Sequence, residues 1–172
     1  LDEFQVQACA DIERGHGVLV CAPTGSGKTI VALIAMLQAV DNGAQCAFLA
    51  PTEVLVMQHA RSMTQTLMNA GVPTRVVALT GSMSAAQKQD ALLKIVSGEA
   101  DIVVGTHALI QDGVDFFQLG LVVVDEQHRF GVEQRDALRA KAGETTPHLL
   151  VMTATPIPRT IAMTVFGDLA VS

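Results

Sequence analysis

The sequence predicts an α/β fold of three layers, with a mostly parallel central sheet and helices on both faces. Strand-like and helix-like segments alternate along the chain. The strand-like segments are short and aliphatic without alternating polarity, which is typical of parallel strands buried on both faces. Polar clusters directly follow six of these strands, at the edge where open parallel sheets bind their ligands. Together these observations predict one domain that binds its ligands at a single edge of the sheet.

The composition supports a single globular domain over residues 1–172. Hydrophobic residues make up 49% of the 172 residues, which excludes a disordered chain and allows a substantial core. No apolar run approaches the ~18 residues that a membrane span needs. The chain starts with acidic Leu1-Asp2-Glu3-Phe4 rather than a signal peptide, so we expect no membrane contact. Because it also lacks an initiator Met, we expect the sequence to be a fragment.

Net charge and cysteine content further narrow the class of protein. The net charge of −6 argues against a broad basic face for nucleic acid, but it leaves binding through backbone amides and helix N-termini open. The basic residues of the last third fit a solvated helix face at least as well as a functional patch. The three cysteines have no metal-type spacing, so we expect reduced thiols in a cytoplasmic protein.

The first half of the chain contains three predicted helices and two predicted strands. Apolar spacing predicts a first helix, and the run from Ile30 to Val40 is apolar nearly all round, which favours burial of the second helix. Pro51-Thr52-Glu53 starts the third helix, which Gly71 stops. In order, the predicted elements are helix 3–14, strand 18–21, helix 29–40, strand 45–50 and helix 53–70.

The second half continues the alternation. The aliphatic run Leu121 to Val124 indicates a strand buried on both faces. A helix from Ser84 to Ser97 is expected to turn Ala85, Leu92, Leu93 and Val96 inward. In order, the predicted elements are strand 75–79, helix 84–97, strand 101–104, strand 121–124, helix 132–141, strand 148–152 and helix 157–166.

A Gly-rich stretch between the first strand and the second helix predicts a phosphate-binding loop. It reads Ala22-Pro23-Thr24-Gly25-Ser26-Gly27-Lys28-Thr29 and departs from the usual motif only in its first residue, Ala in place of Gly. Its glycines let backbone N–H groups approach an anion, and the helix N-terminus adds partial positive charge. Lys28 is expected to reach the β- and γ-phosphates and Thr29 to ligate Mg²⁺. An ordinary strand-to-helix turn is the weaker alternative.

Asp125 and Glu126 end the strand with the strongest burial pattern. An enzyme with a phosphate-binding loop needs an acidic residue there to hold Mg²⁺, so we assign Asp125 to the metal. Glu126 is then placed to orient and deprotonate the water that attacks the γ-phosphate. The alternative is a strand-end carboxylate that caps the following turn.

Several other polar residues are less determined by their chemistry. His128, beside Gln127, either links the nucleotide site to a neighbouring surface or is a structural histidine. Thr153 and Thr155 either hydrogen-bond toward Asp125 or His128 or form a turn before Pro156. Gln5 has an amide that complements an adenine edge, although only its position supports that role.

Three further strand-end clusters offer hydroxyls and backbone N–H groups at helix starts. These groups suit either the phosphates of a single nucleic-acid strand or helix N-caps. His59 and His16 have no partner pattern and are expected at the surface. The clusters comprise Pro51, Thr52 and Glu53; Thr80, Gly81 and Ser82; and Gly105, Thr106 and His107.

In these motifs the chain resembles superfamily 2 helicases, in which two RecA-like domains form an ATP-driven motor. It resembles the first of those domains over nearly its whole length. Residues 101–135, DIVVGTHALIQDGVDFFQLGLVVVDEQHRFGVEQR, and residues 151–169, VMTATPIPRTIAMTVFGDL, resemble the RecG family of DNA helicases, which remodel branched DNA. The first forty residues look more like Ski-type RNA helicases, as in a mosaic or engineered sequence.

The resemblance implies ATP and Mg²⁺ as cofactors and gives each cluster a role. It implies that Gln5 contacts adenine and that the phosphate-binding loop is motif I. It implies catalytic roles for Lys28, Asp125, Glu126 and His128, and coupling roles for Gln127, Thr153 and Thr155. It also implies that the three further clusters contact DNA. The resulting nucleotide set is Gln5, Thr24, Gly25, Ser26, Gly27, Lys28 and Thr29, and the DNA set is Pro51, Thr52, Glu53, Thr80, Gly81, Gly105, Thr106 and His107.

The resemblance further implies partners that this chain lacks. A second RecA-like domain would follow Ser172 and supply an arginine finger, which can be worth ~10³–10⁵ in rate. The wedge domain that engages branched DNA is also missing. We therefore expect the chain to bind Mg-ATP and to hydrolyse it slowly if at all. A non-catalytic or engineered nucleotide-binding module and an RNA-directed motor domain are the alternatives.

Overall fold

The computed structural model describes residues 18–21, 27–110, 114–125, 137, 147–153 and 170–171, and for 18–21, 153 and 170–171 it describes the backbone alone. Seven strands form one sheet in the described chain. They are β1 (Val18–Cys21), β2 (Gln45–Leu49), β3 (Val76–Leu79), β4 (Ile102–Gly105), β5 (Leu119–Asp125), β6 (His148–Thr153) and β7 (Ala170–Val171). Their order is β3-β4-β2-β5-β6-β1-β7, and every pairing among them is parallel.

Three α-helices and one 3₁₀-helix connect these strands in the described residues. They are α1 (Lys28–Asp41), α2 (Glu53–Asn69), α3 (Ala85–Val96) and the 3₁₀-helix His107–Ile110. Thr52 caps α2 by accepting a hydrogen bond from the Leu55 N–H at 3.3 Å. Ser84 and Gln87 form a reciprocal capping box at the start of α3. These local signals explain why the predicted helix starts agree closely with the observed ones.

The helices cover the sheet on both faces. Residues of α1 and α2 pack with Cys46 and Phe48 on one face, whereas Ile95 of α3 packs with Ala47 and Leu49 on the other. Alternate residues of β2 therefore serve opposite layers, as a strand's period of two requires. The predicted three-layer fold is confirmed.

The inward face predicted for α3 is wrong in part. Ala91 and Ile95 are buried, while Leu93 is 60% exposed and Val96 is 47% exposed. The predicted inward residue Ala85 is exposed as well. At 100° per residue, Leu93 lies about 200° around the helix from Ala91, so it cannot share the same narrow stripe.

The other predicted elements differ in smaller ways. Helix α1 buries five of its fourteen residues, Val31, Ala32, Leu33, Ala35 and Met36, while Ile30 is 52% exposed. The short strand β7 and the 3₁₀-helix were not predicted. The predicted helices 3–14 and 157–166 lie outside the described residues, as does helix 132–141 apart from Ala137.

Candidate nucleotide and nucleic-acid site

The carboxyl ends of six strands lie along one edge of the sheet. Leu49 pairs with Gly105 and Val124, and Leu79 also pairs with Gly105. Farther along, Asp125 pairs with Met152, and the ends of β1 and β6 are in register through Cys21 and Thr153. Because the strands are parallel and nearly flush, the described residues that follow β2, β3 and β4, and Asp125 at the end of β5, lie on the same side of the sheet.

The start of α1 is built to receive an anion. Gly27 precedes the helix with φ 85° and ψ 20°, a left-handed conformation that favours glycine. Its carbonyl accepts the N–H groups of Ile30 at 3.1 Å and Val31 at 3.3 Å. Within the described residues no side chain caps this helix, and its first turn contains no acidic residue. The N-terminus of α1 therefore carries partial positive charge beside Lys28 and Thr29.

Asp125 lies two strands away from the phosphate-loop side of the sheet. One strand, β6, separates β5 from β1, so the two strand ends are about 10 Å apart at the usual strand spacing. That span accommodates a phosphate chain and a hydrated cation. Lys28, Thr29 and Asp125 are thus compatible with one nucleotide site.

Asp125 has a partner that the sequence analysis missed. The Nε2–H of His59 donates to Asp125 Oδ2 at 3.1 Å, and the two side chains are 18% and 19% exposed. The expectation that His59 is a surface residue is therefore wrong. The buried stripe of α2, formed by Val56, Ala60 and Met63, carries the neighbouring His59 toward β5. The helical spacing of that stripe was the signal available in the sequence.

The described donors fit Mg²⁺ better than a cation held wholly by protein. No group of three or more His, Cys, Asp and Glu side chains forms a metal cluster in the described part of the chain. Mg²⁺ usually keeps several waters and takes one or two carboxylates together with substrate phosphates. Among the described residues His59 bonds Oδ2 of Asp125, so Oδ1 would be the oxygen for such an ion, and the Thr29 hydroxyl would be the second donor of the predicted set.

The first two predicted nucleic-acid turns are bound to each other through Glu53. Glu53 Oε1 accepts the Ser82 N–H at 3.2 Å. The Ser82 hydroxyl, followed by the Gly81 and Ser82 N–H groups, lowers the pKa of Glu53. Thr80 is buried, its N–H donates to Met83 Sδ at 3.3 Å, and its hydroxyl lies 3.3 Å from that of Ser82. The Thr80–Ser82 turn is therefore held in shape by described groups.

The third turn begins the 3₁₀-helix. Thr106 Oγ1 accepts the Ala108 N–H at 3.4 Å, and the Thr106 carbonyl accepts the Leu109 N–H at 3.0 Å. A Cβ on Gly105 would lie 2.5 Å from Leu109 Cγ, so a larger residue does not fit at this point. The capping alternative is thus confirmed for the hydroxyls of Thr52 and Thr106, whereas phosphate contact by these turns stays a prediction.

The remaining predicted site residues are not described or are described only in part. Thr153 ends β6, and its backbone pairs with Cys21. The others, which lie outside the described residues, are Gln5, Thr24, Gly25, Ser26, Glu126, Gln127, His128 and Thr155.

The chain matches the family model for the DEAD/DEAH box helicase over residues 2–164. The chain belongs to this family. The "ATP-dependent DNA helicase RecG" of Mycobacterium bovis is 62% identical over 164 residues, covering 90% of this chain and 22% of the relative. The protein of the same name from Streptococcus pneumoniae is 52% identical over 164 residues, covering 94% of this chain and 24% of that one.

A solved structure supports the same fold. "Structure of RecG bound to three-way DNA junction" aligns with 99% of this chain at a TM-score of 0.83 and 36% identity, covering 23% of that chain. The resemblance to RecA-like helicase domains of the RecG type is thereby confirmed. The chain spans under a quarter of the length of these curated relatives. In the described part of the chain, every helix falls short of the length and apolar character that a membrane span requires.

Proposed function

We propose that this chain is the ATP-binding motor domain of an ATP-dependent DNA helicase that acts on branched DNA. The observation that carries the proposal is a single sheet edge, within a DEAD/DEAH box helicase domain, at which α1 follows β1 and β5 ends in Asp125. The relatives named RecG narrow the substrate to DNA. The proposal includes a cytoplasmic location and a second RecA-like domain as partner.

Each residue has a defined part in the proposed reaction. The N-terminus of α1 and Lys28 bind the phosphates, and Thr29 with Asp125 would hold Mg²⁺, which stabilises charge on the transferring phosphoryl group. Glu126 orients and deprotonates the attacking water. The turns at 51–53, 80–82 and 105–107 contact the nucleic-acid strand. Without an arginine finger from a second domain, we expect this chain to turn over ATP slowly if at all.

Calorimetry with Mg-ADP and steady-state ATPase assays test the nucleotide site. Lys28→Ala should weaken Mg-ADP binding by at least about 100-fold, because the site loses its phosphate cation. Glu126→Gln should bind like the unsubstituted chain and lose residual turnover. Unchanged affinity in Lys28→Ala would show that the loop is not the site, and retained turnover in Glu126→Gln would remove it from the base role.

The identity of the nucleic acid needs a separate measurement. ATPase stimulation of a full-length motor that contains this domain should be greater with branched DNA than with single-stranded RNA. The reverse order would favour the RNA-directed alternative. Absence of nucleic-acid stimulation altogether would favour a non-catalytic nucleotide-binding module.

A further inference from the structure

His59 lies on α2, and its ring contacts Asp125, the described carboxylate at the end of β5. Its Nε2 lies 3.1 Å from Asp125 Oδ2 although the residues are 66 positions apart in the chain. A carboxylate oxygen accepts hydrogen bonds, so in this contact the Nε2–H of His59 is assigned as the donor. The contact joins α2, whose first turn is a predicted nucleic-acid contact, to the predicted metal carboxylate.

Packing fixes the orientation of the His59 ring. Phe48 is fully buried in β2, and its ring centroid lies 4.7 Å from that of His59 at an interplanar angle of 50°. Val56 and Ala60 on the same helix are buried against the sheet. The His59 ring that contacts Asp125 is therefore held in place by packing against buried side chains.

The hydrogen bond restricts the Asp125 carboxylate in turn. Phe48 pairs with Val123 of β5, so the support and the carboxylate belong to adjacent strands. With Oδ2 engaged by His59, rotation of the carboxylate is limited and Oδ1 keeps one direction. In other metal sites, a partner that orients a metal ligand commonly contributes about 10–100-fold to metal affinity or activity.

We propose that His59 is a positioning residue that holds the Asp125 carboxylate ready to receive the Mg²⁺ of the bound nucleotide. This inference rests on the proposed function, since Asp125 has an ion to receive only if the edge binds Mg-nucleotide. His59 itself contacts neither the ion nor the phosphates in this assignment.

Two substitutions separate the hydrogen bond from the packing. His59→Phe keeps an aromatic ring against Phe48 and removes the donor. His59→Gln loses the ring and keeps an amide N–H that can reach Asp125. Ser62→Ala, at an exposed position of the same helix, is the matched control. Thermal unfolding of each variant verifies that the chain is folded.

Calorimetric titration of ADP with Mg²⁺, and of ADP with a chelator, measures the metal-dependent part of binding. His59→Phe should weaken the Mg²⁺-dependent affinity about 10-fold and leave metal-free ADP binding unchanged. His59→Gln should stay within about 3-fold of the unsubstituted chain, as should Ser62→Ala. In an Asp125→Ala background, His59→Phe should have no further effect, because the two residues act as one unit.

The opposite ranking would overturn the proposal. If His59→Phe binds Mg-ADP normally, or if it weakens metal-free binding equally, His59 does not position a metal ligand. If His59→Gln fails while His59→Phe is normal, the role is packing alone. If the unsubstituted chain and Lys28→Ala both fail to bind Mg-ADP, the proposed function falls and this inference with it.

Discussion

Gln45 illustrates how a single polar residue joins distant parts of the chain. It is buried at the start of β2, and its Nε2 donates to the carbonyls of Ile95 at 2.9 Å and Ala100 at 2.8 Å. Its Oε1 accepts the Gln118 N–H at 3.0 Å. The amide thus bonds backbone groups at the end of α3, before β4 and before β5, although the Ile95 carbonyl also accepts the Gly98 N–H at 3.2 Å.

Gln45→Leu should destabilise the chain by at least about 2 kcal/mol, since burying unpaired backbone groups costs about 1–3 kcal/mol each. The free energy of unfolding from urea denaturation measures the loss. Gln65→Ala is the control, because within the described part of the chain the Gln65 side chain is exposed and bonds its exposed neighbour Asn69, so its loss should change stability by less than about 0.5 kcal/mol. Equal stability of Gln45→Leu and the unsubstituted chain would contradict the role assigned to the amide.

At the scale of elements, Glu53 connects the first turn of α2 to the turn before α3. Its carboxylate accepts the Ser82 N–H, and the Ser82 hydroxyl with the backbone donors of residues 81 and 82 lowers its pKa below the ordinary value of a glutamate. A carboxylate whose pKa is lowered by folding stabilises the folded state above its unfolded pKa. That contribution is lost as the pH falls through the lower folded value. The joined turns are therefore expected to hold together better at neutral pH than in acid.

Glu53→Gln should lower the free energy of unfolding at about pH 7, and the difference should shrink as the pH falls below 4.5 toward the folded pKa. Urea denaturation at several pH values measures this. Ser82→Ala removes the largest of the interactions that lower the pKa, so the effect of Glu53→Gln should be smaller in that background. A difference that is constant with pH would show that the charge of Glu53 is not involved.

At the scale of the whole molecule, burial is concentrated in the central strands. All residues of β2 are buried, and so are Leu121 to Val124 of β5, whereas the residues of β3 at one edge of the described sheet are half-buried. Local opening is easiest where few apolar groups must be exposed to water. The sheet should therefore open from the β3 edge toward the centre.

Hydrogen exchange measured by NMR tests this expectation. The amides of Phe48 and Val123 should exchange at least about 10-fold more slowly than those of Val77 and Ala78 in β3. Val103 of β4, between the edge and the centre, should be intermediate. Equal protection across these strands would indicate that the sheet opens as one cooperative unit.

The extent of prediction from sequence differs between local and long-range features. Six strands and the described helices were predicted with boundaries close to those observed, since aliphatic runs and caps such as Thr52 and Ser84 act over a few residues. The strand β7 has only two residues, Ala170 and Val171, and is defined by its pairing with β1. Such a pairing leaves no local signal, so it was not predicted.

What the sequence by itself determined was the alternation of elements and the parallel sheet, whereas the loop chemistry around Lys28 and Asp125 stays a prediction from residue types. Those features depend on burial patterns and residue types that are read within short windows. The tertiary structure alone decided that Ala91 and Ile95 face inward, that Glu53 meets Ser82, and that His59 meets Asp125. These contacts depend on how the helices pack on the sheet, which many side chains determine together. No short window of sequence contains both partners of such a contact.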